Sequence, residues 1–179
     1  MNDSSVFHLI SDITKQKGVA CVLIGGFAVN HYKVSRQTGD VDLLITKEDF
    51  DKIIGLIEKA GYKKIFSHEN FAQYQSSHLS LMDVDFMFVE SDTLKKILKE
   101  SEEFAIVGQK FFVPSLFHLI ALKLHCIKFN PKNRMSKDWP DIMNLIRVND
   151  VDVKEKKFKE LCLKFGNENI YQKILEERS

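Results

Sequence analysis

Leu23–Ile45 has the sequence LIGGFAVNHYKVSRQTGDVDLLI, and this stretch decides the fold. It contains an apolar run that stops at Gly25 and Gly26, thirteen further residues, and a second apolar run that carries Asp40 and Asp42. A short apolar run that ends in two glycines is typical of a buried strand followed by a turn. The stretch therefore predicts a strand, a short helix that starts at the glycine turn, and a second strand with two carboxylates.

Asp40 and Asp42 predict a metal site on the second strand. Alternate residues of a strand share a face, so the two carboxylates lie on one side, about 6.6 Å apart at ~3.3 Å per residue. Two like charges in an apolar strand repel each other and are costly to desolvate unless a cation binds between them. Because carboxylate oxygens select Mg²⁺ or Mn²⁺ rather than zinc, we expect a divalent ion of that kind here.

A third carboxylate is expected from Ser80–Glu90, SLMDVDFMFVE, where apolar and polar residues alternate as in a half-buried strand. Asp83 and Asp85 lie on the same face of this predicted strand. A third carboxylate would complete a site for two divalent ions roughly 3.5 to 4 Å apart, the geometry used for in-line phosphoryl transfer. Asp85, which apolar residues flank, is the candidate, and Asp83 is its rival.

The glycine pair suggests a phosphate site next to the predicted metals. At a strand-to-helix turn without side chains, backbone N–H groups can approach a phosphate closely, and the start of the following helix adds a favourable dipole. Gly25 and Gly26 are therefore candidates for holding a phosphate group.

The remaining sequence alternates between strand and helix patterns as far as Val113 and is helical afterwards. We predict strands at 19–24, 40–45, 62–67, 71–75, 82–88, 104–107 and 109–113, and helices at 6–18, 27–32, 47–60, 92–100 and 114–128. Pro114 is predicted to occupy the first turn of the helix that follows Val113. Breaks at Asn130-Pro131, at Asn149-Asp150 and at Gly166 divide the later helical sequence. These patterns predict an α/β (α+β) chain whose last third is all helical.

Composition excludes several classes of protein. The chain has 179 residues, is 44% hydrophobic and 28% charged, and carries a formal net charge of +1, which does not fit a uniformly basic nucleic-acid coat. No run approaches the roughly 20 apolar residues of a membrane span, and the N-terminus lacks the basic start of a signal peptide, so we expect a cytoplasmic protein with no membrane partner. The chain has three cysteines and no Cys-x-x-Cys motif, which argues against a disulfide framework and a zinc knuckle.

The near-neutral total hides an uneven distribution of charge. Residues 1–118 carry 13 basic and 16 acidic side chains, whereas residues 119–147 carry 6 basic and 2 acidic ones. Five cations and no acid lie between Lys123 and Lys137. An acidic, metal-binding front and a cluster of five cations suit a bound triphosphate, because metals bridge its oxygens while Lys and Arg neutralise the rest.

The glycine pair, the interval and Asp40-Val41-Asp42 together resemble the signature of the polymerase β-like nucleotidyltransferase superfamily. In that signature a hydrophobic residue and Gly-[Gly/Ser] precede Asp-x-[Asp/Glu] by about nine to thirteen residues. Two further motifs, RxTxDxD at Arg36–Asp42 and RxxKDxxD at Arg134–Asp141, are similar to the AbiEii-type branch. This branch includes nucleotidyltransferase toxins of toxin-antitoxin and phage-defence systems. The resemblance covers about residues 20–147.

The resemblance implies a fold and a set of site residues. The fold is a mixed sheet flanked by helices, with a nucleotidyltransferase core at 1–113 and a helical C-terminal part at 114–179 packed on it. The implied catalytic set is Asp40, Asp42, Asp85 and Lys123, of which the three aspartates hold the metals. The implied nucleotide-binding set is Gly25, Gly26, Arg36, Thr38, Lys137 and Asp138.

Several of these implied roles have alternatives. Lys123 is expected to reach the nucleotide phosphates, and Asp138 to orient either Lys123 or the acceptor. Arg36 either contacts a phosphate or pairs with an acid near the strand. Thr38 either contacts the nucleotide or ties down the loop before the strand.

The implied reaction is the metal-dependent transfer of a nucleoside monophosphate from an NTP, such as ATP, to a hydroxyl, with release of pyrophosphate. Mg²⁺ or Mn²⁺ is the expected cofactor, and Asp85 is expected to take the acceptor proton. The expected acceptor is RNA, such as a tRNA end, or a protein, with the chain acting as a toxin that has an antitoxin partner. Alternatives are a small-molecule (antibiotic) nucleotidyltransferase and a catalytically silent, NTP-binding or antitoxin-like module.

Overall fold

The computed structural model describes residues 5–178 and contains seven strands and eight helices there. The strands are β1 (Val22–Leu23), β2 (Asp40–Ile45), β3 (Tyr62–His68), β4 (Phe71–Ser76), β5 (Asp83–Phe88), β6 (Glu102–Ile106) and β7 (Gln109–Val113). The helices are α1 (Val6–Lys17), α2 (Gly25–His31), α3 (Lys47–Lys59), α4 (Ser91–Lys99), α5 (Leu116–Phe129), α6 (Pro131–Val148), α7 (Lys156–Phe165) and α8 (Glu168–Arg178). No helix of residues 5–178 is both long enough and apolar enough to cross a membrane.

Five strands form one mixed sheet in the order β1-β2-β5-β4-β3. β2 and β5 run parallel to each other, whereas every other neighbouring pair in this sheet is antiparallel. The predicted alternation of β5 is confirmed, because Val84 and Phe86 are fully buried while Asp83 and Asp85 remain partly exposed. This apolar face holds the sheet in the core, and the opposite face of the two central strands presents carboxylates.

The chain divides into two compact units. The first comprises the chain up to Ala28 together with Arg36–Pro114, and the second comprises Val29–Ser35 together with the chain from Ser115 onwards. The boundary therefore passes through α2, a feature for which the sequence contains no signal.

Two helices of the first unit are held by conventional caps. The Ser5 hydroxyl accepts a hydrogen bond from the backbone N–H of His8 at the start of α1, and Gly18 ends that helix with a left-handed φ of 62°. The Thr46 hydroxyl caps α3 in the same way. α1 packs against α3 and β7, and α3 packs against β3, so these helices cover the apolar side of the strands.

The second unit contains α5 to α8 and the segment 29–35. Its interior is apolar, with fully buried side chains on all four helices, among them Ile120, Leu124, Ile142, Leu145, Phe158 and Ile174. The Asn149 side chain donates a 3.1 Å hydrogen bond to the backbone carbonyl of Tyr32, which joins the segment 29–35 to the end of α6.

Several predicted element boundaries are wrong, among them the following three. The first strand spans only Val22–Leu23, because the N–H of Val19 still bonds the carbonyl of Thr14 at the end of α1. Pro114 lies before α5 rather than in its first turn, since Ser115 is the N-cap. The sequence predicts Ser91 or Asp92 as the N-cap of α4, but Ser91 is already the first helical residue and the N-cap is Glu90, which makes no side-chain capping bond.

Candidate active site

Asp40, Asp42 and Asp85 converge on one face of the sheet. Each offers a carboxylate oxygen, and these oxygens all lie within 4.8 Å of one another. The parallel register of β2 and β5 produces this arrangement, because it pairs Asp42 with Asp85 and Asp40 with Asp83. Paired residues of neighbouring strands point to the same side, so the Asp-x-Asp of β2 faces the carboxylates of β5. We call these three residues the Asp triad.

The Asp triad fits a divalent cation. All three donors are carboxylate oxygens, the ligands that Mg²⁺ and Mn²⁺ prefer, and the set contains no imidazole or thiolate that would favour zinc. Three carboxylates at this separation repel one another, and a bound cation would remove that repulsion.

Asp85 differs from an ordinary surface carboxylate. Burial raises its pKa, and the charges of Asp40 and Asp83 raise it further, while a hydrogen bond from Gln73 lowers it. Gln73 lies opposite Asp85 in β4, and its side-chain Nε2 donates to Asp85 Oδ2 at 2.9 Å. A carboxylate with a raised pKa is a better proton acceptor than an ordinary aspartate, which suits a general base.

The geometry favours Asp85 over Asp83 as the third carboxylate. Asp83 is not part of the cluster of converging oxygens. Its Oδ1 instead accepts a 2.9 Å hydrogen bond from the backbone N–H of Ser76, so this carboxylate helps to tie β4 to β5.

Gly25 allows α2 to begin directly against the Asp triad. Its φ of 63° is left-handed, and a Cβ at this position would overlap the carboxylate of Asp42. The neighbouring backbone is fixed as well, because the N–H of Ile24 donates a 2.9 Å hydrogen bond to the carbonyl of Asp42. The position therefore requires glycine both for its backbone conformation and for space.

Gly26 allows an equally close approach of Thr38. A Cβ on Gly26 would lie 2.6 Å from Thr38 Cβ and 2.7 Å from Thr38 Oγ1, closer than real side chains pack. Thr38 Oγ1 lies 3.1 Å from both the carbonyl oxygen and the Oδ1 of Asp40, to which it donates. Thr38 therefore anchors the Asp40 carboxylate, and Gly26 leaves room for the Thr38 side chain.

Arg36 and Lys137 are two further predicted nucleotide ligands. Arg36 is half-buried in the loop that leads to β2, within the first unit. Lys137 is exposed on α6, within the second unit. Their roles toward a nucleotide stay predictions.

Lys123 and Asp138 meet in a buried ionic cluster of the second unit. Lys123 Nζ lies 3.0 Å from Asp138 Oδ1 and 2.7 Å from Asp141 Oδ2, and the lysine side chain is only 6% exposed. Arg134 Nε lies 2.7 Å from Asp138 Oδ2 and completes the cluster. Lys123 thus forms ion pairs with two carboxylates. Its contact with nucleotide phosphates stays a prediction.

Asp141 and Gln73 had no assigned role in the sequence prediction. Asp141 could have been recognised, because the RxxKDxxD spacing places it three residues after Asp138 on one helix face. Gln73 could not, because its partner depends on the register of β4 against β5, which nothing in the sequence marks.

A protein-family model described as Aminoglycoside-2''-adenylyltransferase matches residues 6–120. No curated protein sequence is significantly similar to the chain.

Several solved structures have the same fold. The crystal structure of ANT(2'')-Ia in complex with adenylyl-2''-tobramycin is 15% identical with a TM-score of 0.63, over 89% of this chain and 94% of the other. The lincosamide antibiotic adenylyltransferase LnuA, bound to lincomycin, is 17% identical with a TM-score of 0.54, over 78% and 93%. A putative nucleotidyltransferase from Thermotoga maritima is 18% identical with a TM-score of 0.55, over 76% and 91%. The predicted fold of the polymerase β-like nucleotidyltransferases is therefore confirmed.

Proposed function

The chain belongs to the aminoglycoside-2''-adenylyltransferase family and is a nucleotidyltransferase, and from this premise we propose that it adenylylates a hydroxyl group of a small molecule. The proposed donor is ATP, the proposed cofactor is Mg²⁺ or Mn²⁺, and the proposed acceptor is a hydroxyl-rich antibiotic or a compound like it. The observation that carries the proposal is the Asp triad, whose three oxygens lie within 4.8 Å of one another on the central strands.

The small-molecule acceptor replaces the RNA or protein acceptor that the AbiEii-type resemblance implied. The matching family is the aminoglycoside one, and two of the similar structures are antibiotic adenylyltransferases. No comparison supports the AbiEii-type assignment, the toxin role or an antitoxin partner. The intact Asp triad also argues against a catalytically silent module.

In the proposed reaction the hydroxyl oxygen of the acceptor attacks the α-phosphorus of ATP. The bond between the α-phosphorus and the oxygen that bridges it to the β-phosphorus breaks. Pyrophosphate leaves with the electron pair of that bond, and the acceptor proton passes to a carboxylate. Divalent cations held by the Asp triad would lower the pKa of the attacking hydroxyl and neutralise charge on the transferred and leaving phosphates. Asp40 and Asp42 would hold the cations, and Asp85 would hold a cation and receive the proton.

The remaining site residues have positioning roles in this proposal. Gly25 and Gly26 would bring backbone N–H groups near the triphosphate beside Asp42. Thr38 would keep the Asp40 carboxylate in place through its 3.1 Å hydrogen bond. Arg36 would neutralise phosphate oxygens, and within the second unit Asp138 would orient Lys123, which it already contacts.

The test is incubation with Mg²⁺ and α-labelled ATP in parallel arms that contain tobramycin, lincomycin or total RNA, with the other labelled NTPs as further donors. We expect label on a small molecule, and loss of labelling in the matched variant Asp40→Asn, Asp42→Asn. Labelling of RNA alone would overturn the proposed small-molecule acceptor. It would favour the alternative hypothesis that the chain is a toxin that modifies RNA. Label that appears equally with the variant would exclude the Asp triad as the site.

A further inference from the structure

Gln73 is the described side chain outside the Asp triad that donates a hydrogen bond to Asp85. Its Nε2 lies 2.9 Å from Asp85 Oδ2. The two residues are direct partners across β4 and β5, so the contact arises from the sheet register rather than from a flexible loop. A side chain opposite its partner on a neighbouring strand reaches it at short range.

The backbone around Gln73 is firmly placed. The residues on either side of it, Ala72 and Tyr74, are 1% and 2% exposed and point to the apolar side of the sheet. Tyr74 packs against the rings of Phe50 and Phe86. Because both neighbours are fixed in the core, Gln73 must point to the opposite face, where the Asp triad lies.

The chemistry of an amide suits this position. An aspartate carboxylate can rotate about its last bond, and a fixed donor on one oxygen selects one orientation. A lysine or arginine there would add a positive charge that competes with a metal ion, and a glutamate would add repulsion. The neutral amide of Gln73 holds Oδ2 of Asp85 without either effect.

We propose that Gln73 is the positioning residue of the metal site, holding Oδ2 of Asp85 so that its carboxylate meets the cation in one orientation. This inference rests on the proposed function, because it requires that the Asp triad binds a divalent ion. It predicts that loss of the amide weakens cation binding through Asp85 and leaves the fold intact.

The probe is Mn²⁺ alone, titrated into the full chain and followed by the electron paramagnetic resonance signal of free Mn²⁺. The variant Gln73→Met keeps the length of the side chain and removes the donor. Removal of such an outer hydrogen bond typically costs about 10- to 100-fold in metal affinity, so we expect the Kd for Mn²⁺ to rise by about that factor. The matched control is Gln172→Leu, which removes the amide that donates to the Glu168 carboxylate at 2.7 Å on α8, and its Kd should stay unchanged.

A double-mutant cycle separates positioning from a structural effect. If Gln73 acts through Asp85, adding Gln73→Met to Asp85→Asn should change the Kd for Mn²⁺ by less than about twofold, because the coupled carboxylate is already lost. An equal loss in both backgrounds would overturn the proposal. Gln73→Leu provides a second donor-free variant if Gln73→Met does not fold, and circular dichroism of each variant checks the fold.

The outcomes also separate this inference from the proposed function. Wild type that binds Mn²⁺ no better than Asp42→Asn would overturn both, because the Asp triad would then hold no cation. Wild type that binds Mn²⁺ through the Asp triad, with Gln73→Met unchanged, would overturn the role of Gln73 alone.

Discussion

At the scale of single residues, the site depends on two glycines, Gly25 and Gly26, at which any side chain would overlap its neighbours. Gly25 lies against the Asp42 carboxylate and Gly26 lies against Thr38, so the start of α2 packs beside the Asp triad with no side chain between them. The sequence predicted that these glycines matter, and it assigned them to phosphate binding. The structure adds a second reason, which is steric and concerns the carboxylates themselves.

Gly25→Ala should nearly abolish nucleotidyl transfer. The new Cβ would overlap the Asp42 carboxylate and would also sit at a left-handed φ, so Asp42 must move. Displacement of a reacting geometry by about 1 Å costs on the order of 100-fold in rate, and we expect a loss of at least that order. The measurement is the steady-state rate of label transfer from ATP.

Gly55→Ala is the matched control for that substitution. Gly55 lies inside α3, and a Cβ there meets nothing within 4 Å. Alanine in a helix interior is favoured over glycine by about 0.5 to 1 kcal/mol, so this variant should be more stable and equally active. Equal activity of Gly25→Ala and Gly55→Ala would contradict the steric account of the site.

Asp85→Asn should raise the melting temperature of the metal-free protein at neutral pH while it removes activity. Burial and neighbouring negative charges raise the pKa of Asp85, so the folded state binds this proton more readily than the unfolded state does. The stability of wild type therefore falls as the pH rises from the unfolded pKa through the folded pKa, and the penalty is fully present above that window. Asparagine has no such penalty.

The pH and metal dependence of this effect check its cause. Below the unfolded pKa, Asp85 is protonated in both states, so the difference in melting temperature between wild type and Asp85→Asn should shrink there. Thermal melts in EDTA at several pH values measure it, and added Mg²⁺ should stabilise wild type more than the variant. A variant that is less stable than wild type in EDTA at neutral pH would refute the account.

At the scale of elements, α5 and α6 are joined by charge as well as by apolar packing. Lys123 on α5 reaches Asp138 and Asp141 on α6, and all three side chains are at least nine-tenths buried. A buried ion pair is a poor source of net stability, but removal of one partner leaves an uncompensated charge in the interior.

Lys123→Met should destabilise the fold by about 3 to 5 kcal/mol, because two buried carboxylates lose their shared cation. Lys128→Met, on the exposed side of the same helix, should change stability by no more than about 0.5 kcal/mol. Urea unfolding measures both. Unchanged stability of Lys123→Met together with a weaker affinity for ATP would favour the predicted phosphate contact over a structural role.

Local sequence patterns predicted the bounds of an element well where those bounds depend only on the residues of the element itself. β2 has the predicted bounds because Asp-Val-Asp-Leu-Leu-Ile is unambiguous, and α1 ends at Gly18 as expected. Boundaries failed where a neighbour decides them, as for β1, which extends only as far as its pairing with Leu43 and Leu44 of β2. The contact of Gln73 with Asp85 was unpredictable for the same reason, since sheet register is a property of two segments.

At the scale of the whole molecule, cation and nucleotide binding should appear as added stability. A ligand that binds only the folded state at about 100 times its Kd stabilises by about 2.7 kcal/mol. For a chain of this size we expect Mg²⁺ with ATP to raise the melting temperature by roughly 5 to 10 °C. EDTA should reverse the shift, and the variant Asp40→Asn, Asp42→Asn should not show it. A shift of equal size in that variant would place the ligand elsewhere.

The division of the chain into two units also determines which fragments of the protein would contain a complete unit. Because residues 29–35 belong to the unit that otherwise starts at Ser115, no single cut yields two complete halves. A fragment that ends at Pro114 would carry a segment whose partner is missing, since Tyr32 bonds Asn149. A fragment that starts at Ser115 would lack that segment. Gene-splitting and domain-exchange experiments on this protein therefore need three junctions: one within α2, one between Ser35 and Arg36, and one at the start of α5.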